Sequence, residues 1–133
     1  MRLKQWFKIV GGVIGAVFLG LLLLPHINHS GCSPEAYARV EVSQLSCALK
    51  TYRTEFGAWP TGNQARLMKT LLGDNSQKIT FYDVPLKSLN QRSEFVDPWG
   101  VPFLISFSND EPQVTSAGPN KQFGDKDDIC SWK

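Results

Sequence analysis

The stretch that decides the fold is Ser33–Pro60, SPEAYARVEVSQLSCALKTYRTEFGAWP. It opens with a helix start. Ser33 can cap, Pro34 suits the first helical position, and Glu35 places an acid where the helix dipole favours one. Behind that start, Ala38, Val42, Leu45, Leu49, Tyr52 and Phe56 recur at alternating spacings of three and four. That period puts all six on one face of a single long helix. Gly57, followed by Trp59-Pro60, ends it. A helix with one apolar stripe must bury it, so the rest of the chain has to supply a packing surface. Cys47 falls on the opposite face.

Downstream, Ala65–Leu72 (ARLMKTLL) reads as a second, shorter helix closed by Gly73-Asp74-Asn75. The region 76–94 carries little pattern, apart from a short strand expected at Ile79–Tyr82. Asp97-Pro98-Trp99-Gly100 is a strong turn signal. Phe103–Phe107 reads as a strand, Asn109-Asp110-Glu111-Pro112 as a turn, and Gln113–Ser116 as the returning strand of a hairpin. From Ala117 onward the chain reads as a loop rich in glycine and acids. The expected class is α+β: a long amphipathic helix packed on a small antiparallel sheet, with an acidic C-terminal loop.

Upstream, Arg2, Lys4 and Lys8 precede an unbroken run of apolar residues and glycines from Ile9 to Leu24. At about 1.5 Å per residue the run alone is slightly short for a bilayer core. Trp6 and Phe7 extend it into the interface. The basic flank belongs in the cytoplasm and the bulk of the chain outside, in a bacterium the periplasm. An uncleaved signal anchor is the reading taken. A cleaved signal peptide needs small residues at its cleavage site, and His26–Gly31 offers a poor one. A lipoprotein signal ending at Cys32 would have His29 where leucine is usual. The expected division is 1–32 for flank, transmembrane helix and juxtamembrane segment, and 33–133 for the outer domain.

Composition excludes several classes. The 133 residues suffice for one domain, and the net charge of +2 comes from 14 basic residues, scattered except at the N-terminus, and 12 acidic ones. No basic stripe points to nucleic acid. The three cysteines, Cys32, Cys47 and Cys130, form no CxxC pair, so neither a zinc ribbon nor a thioredoxin-type site is indicated. Both histidines, His26 and His29, lie beside the apolar run, without a nucleophile–base pattern or a third ligand. No phosphate-cradling glycine loop occurs. An enzyme is not expected.

These parts, in this order, resemble the major pseudopilin of bacterial type II secretion, the G subunit. Ala38-Arg39-Val40 with Gln44-Leu45, Ala48-Leu49 and Tyr52 is similar to the family's long helix. Phe56-Gly57-Ala58-Trp59-Pro60-Thr61 resembles its Gly-x-Tyr-Pro-Thr exit. Asp97-Pro98-Trp99-Gly100-Val101-Pro102-Phe103 resembles its Asp-Pro-Trp-Gly-x-Pro-Tyr turn. Ser116-Ala117-Gly118-Pro119-Asn120 and Asp127-Asp128-Ile129-Cys130-Ser131-Trp132 resemble its two closing segments. The likeness runs from about Ser33 to the end. It fails at the N-terminus, where relatives carry a basic leader ending in glycine and then Phe-Thr-Leu-x-Glu. Lys4–Gly12 (KQWFKIVGG) has neither the cleavage glycine in that place nor the glutamate.

The resemblance implies a pilin-like fold and a structural subunit anchored in the inner membrane. Its partners would be other pseudopilins or secretion-machinery proteins, and it could associate with itself through the N-terminal helix. The alternative is a stand-alone membrane-tethered module that reuses the pseudopilin head to bind calcium or a partner. The tail crowds Asn120, Asp125, Asp127 and Asp128 into one loop with Gly118 and Gly124, and from the residues alone it reads as a solvated acidic loop balanced by Lys121 and Lys126. The resemblance implies a calcium site there. Asn120, Asp125 and Asp128 would supply side chains, and Ala117 and Phe123 backbone carbonyls. Neutral Asn120, where relatives have aspartate, implies weaker binding. If the tail folds back over the helix, Cys47 and Cys130 would bond and leave Cys32 free; otherwise both are packed thiols.

Overall fold

A computed structural model describes residues 31–84 and 88–132, all but the first of which belong to the compact unit Cys32–Lys133. The anchor expected over residues 9–24 lies outside the described residues. Among those described, no helix is long and apolar enough to cross a membrane.

Helix α1, Pro34–Phe56, forms where its signals place it. The Ser33 hydroxyl accepts the Ala36 N–H at 3.2 Å, and Gly57, at φ 74°, closes the helix by donating its N–H to the Arg53 carbonyl. The left-handed backbone at that position is the reason a glycine stands there. Ala38, Val42, Leu45, Ala48 and Leu49 are buried, while Tyr52 and Phe56 are half-buried against Phe81, with ring centroids 5.3 and 5.9 Å away. Helix α2, Gln64–Leu71, begins one residue earlier than the pattern indicated because Asn63 caps it, accepting the Arg66 N–H at 2.9 Å. It adds Leu67, Met68 and Leu71 to the core.

The strand expected at Ile79–Tyr82 does not form. The N–H groups of Phe81 and Tyr82 both donate to the Leu71 carbonyl, at 2.8 and 3.2 Å, and so cap α2. The Asn75 side chain holds Ile79 through both its N–H and its carbonyl. With those groups engaged, no ladder is open to the segment.

Three antiparallel strands make the sheet, in the order β1 (Leu104–Ser108), β2 (Glu111–Ser116), β3 (Ile129–Cys130). Strands β1 and β2 are joined by Asn109-Asp110, both at positive φ (50° and 61°), a two-residue turn whose twist suits a hairpin. The paired strands begin one residue later and two residues earlier than the sequence pattern suggested. Register partners share a face, so Ile105, Val114, Ser116 and Ile129 point one way. That is the side on which α1 packs against β2 and β3. Leu104, Thr115 and Cys130 point the other way. Phe95 and Phe103, with centroids 4.8 Å apart, fill the space beside the sheet together with Tyr82.

The same register accounts for the cysteines. No Cys47–Cys130 bridge is present; both are free thiols, as is Cys32. Cys47 lies on the face of α1 opposite the stripe and is exposed there, not packed under the tail. Cys130 is buried, but it pairs with Thr115 and so faces away from the helix.

Candidate functional site

The tail loop spans the residues between β2 and β3, and the Ser116–Ile129 pair closes its neck. Two devices hold that neck. Gly118, at φ 69°, lies so near the returning chain that a Cβ there would sit 2.3 Å from the Asp127 carbonyl oxygen, so only glycine fits. Beneath it, Asp97 accepts the Ser116 hydroxyl at 2.7 Å, and the Ser116 oxygen accepts the Gly118 N–H at 3.2 Å. Asp97 also accepts the N–H groups of Trp99 and Val101, at 3.0 and 2.9 Å. The Asp-Pro-Trp-Gly turn and the start of the tail loop therefore share one buried carboxylate.

Within the loop, Asn120 is central. Its amide nitrogen donates to Asp125 Oδ2 at 2.6 Å and to Asp127 Oδ1 at 2.9 Å. Its backbone N–H donates to Asp127 Oδ2 at 3.2 Å, and the Asp127 N–H donates to Asp125 Oδ1 at 3.2 Å. Its own oxygen accepts the Gln122 N–H at 2.7 Å. That last bond decides which way the amide faces, because a backbone N–H needs an oxygen opposite it. Hydrogen bonding with the Asp127 side chain, and then with Asn120, holds the Asp125 carboxyl below its ordinary range.

Of the five residues expected to surround calcium, Asn120 and Asp125 are thus brought together. Asp127, which the expected ligand set omitted, joins them; only its place among the loop acids signalled it. Asp128 stands apart, with Oδ2 accepting the Gly124 N–H at 2.8 Å and Oδ1 buried without a hydrogen-bond partner. Ala117 is fully buried at the neck, and the Phe123 side chain is exposed. Among the described residues, no group of three or more histidine, cysteine or acidic side chains is placed to hold a metal. Calcium takes six to eight oxygens. As folded, Asn120 turns a nitrogen toward the carboxylates, so the donor set does not fit that ion.

A second buried polar cluster escaped the sequence reading. Glu41 on α1 accepts the hydroxyl of Tyr82, and Tyr37 lies close to the same carboxylate. Burial first, and then Glu41, pushes the Tyr82 hydroxyl far above the ordinary tyrosine range.

Residues 26–132 match the family model described as type II secretion system (T2SS), protein G. No curated protein and no solved structure matches the chain. The matched span takes in both helices, the Asp-Pro-Trp-Gly turn, all three strands and the tail loop. The chain belongs to the type II secretion system protein G family.

Proposed function

We propose that the chain is a pseudopilin-like structural subunit of type II secretion, held in the bacterial inner membrane by residues 9–24 with its head in the periplasm. The observation that carries this reading is the two-faced α1 within a chain of the protein G family. One face is used up by the sheet. The other leaves Val40 exposed, at 49%, beside the small residues Ser43 and Cys47. That face is suited to contact with neighbouring pseudopilins rather than to chemistry. The alternative, a tethered module that works alone, draws on the departure of Lys4–Gly12 from the family's pattern.

The test is export. Cells lacking the protein should retain type II substrates in the periplasm, and the full-length chain should restore their release. Unchanged export in the deletion strain would remove the assignment.

A further inference from the structure

We propose that Asn120 does the work of a bound cation in the tail loop, so that this chain closes the loop without calcium. The need is electrostatic. Asp125 and Asp127 lie within hydrogen-bond reach of one nitrogen, at 2.6 and 2.9 Å, and two carboxylates that close repel unless a proton or another hydrogen-bond donor stands between them. A primary amide nitrogen carries two donors. Asn120 gives one to each carboxylate and adds its backbone N–H to Asp127. Its oxygen is tied to the Gln122 N–H, so the side chain cannot turn over without breaking three bonds.

The remaining parts of the loop are held from within. The Asp97–Ser116–Gly118 chain fixes one side of the neck, and β2–β3 pairing fixes the other. Lys121 and Lys126 face three aspartates in the loop's charge balance. One unpartnered buried oxygen in the loop, Asp128 Oδ1, falls far short of a calcium shell. Aspartate at position 120 would remove both side-chain donors and add a third charge to the pair. The loop would then require a cation.

The inference rests on the loop's hydrogen bonds and stands or falls separately from the role in secretion. The experiment uses the full-length chain in detergent, melted by tryptophan fluorescence in excess calcium chloride or in chelator. The wild-type melting temperature should be the same in both. Asn120→Asp should melt about 5 °C lower in chelator and recover in calcium. A wild-type chain stabilised by calcium as much as the variant would overturn the proposal. So would a variant that matches wild type in chelator and ignores calcium. Calorimetric titration of the wild-type chain with calcium gives an independent reading should the variant fold poorly. Absence of binding heat is expected, and micromolar affinity would refute the proposal.

Discussion

Replacing Asp97 by alanine should be among the most damaging single changes outside the apolar core. The carboxylate is only 4% exposed and accepts three hydrogen bonds, from Trp99 N–H, Val101 N–H and the Ser116 hydroxyl. Among the described residues no cation pairs with it. Alanine strands all three donors. Ser116 is fully buried, so water does not reach its hydroxyl, while the two backbone groups are partly buried. At about 1–3 kcal/mol for each stranded donor, less the desolvation recovered by removing a charge, the loss is about 3–5 kcal/mol. That is a large share of an ordinary domain's stability. Asparagine keeps the oxygen facing Trp99 and Val101 and spoils only the Ser116 contact, so it should cost about 1–2 kcal/mol. Urea unfolding of the two variants and wild type, followed by tryptophan fluorescence, measures the order directly. An alanine variant within about 1 kcal/mol of wild type would refute the claim that this carboxylate joins turn to loop. So would asparagine costing as much as alanine.

Tyr82→Phe removes the hydroxyl donor to buried Glu41 and should cost about 1–3 kcal/mol by chemical unfolding. Because the folded protein raises the Tyr82 pKa above its ordinary value of 10.0, that stabilisation is complete below pH 10 and is lost as pH climbs beyond it. An alkaline series should therefore show a steeper fall for wild type than for Tyr82→Phe. Gly118→Ala drives a Cβ to 2.3 Å from the Asp127 carbonyl at a φ of 69°. It should cost at least about 1–2 kcal/mol from the backbone alone and speed proteolysis within the tail loop. Leu45→Ala, at a position with no exposed surface, should lose about 2–5 kcal/mol in the same unfolding assay.

The long helix was legible because three independent signals agreed on it: the Ser33-Pro34 start, the six-residue stripe and Gly57. The hairpin was legible from two strand-like runs around Asn109-Asp110, with errors of one or two residues at the strand ends. Strand β3 was not, since two residues, Ile129 and Cys130, carry no period. The stretch Ile79–Tyr82 looks like a strand by composition, yet its backbone groups go to Leu71 and Asn75. That competition is tertiary and leaves no local mark. Glu41 and Tyr82 meet across 41 residues of chain, beyond any spacing rule. In the tail, the crowding of acids was readable, but the direction of the Asn120 amide was not. It depends on where the fold puts Gln122, Asp125 and Asp127 around it.

The central claim, a subunit that works by lateral contact, is tested most directly by crosslinking in membranes. Exposed Cys47 and Cys32 offer natural handles for a bifunctional maleimide. Full-length protein at its native level should give a ladder of crosslinked species. The ladder should shrink when a charged residue replaces Val40 on the open face of α1. A protein that remains monomeric in the membrane, with Cys47 reactive toward a monofunctional probe, would contradict the account and leave a tethered module acting alone.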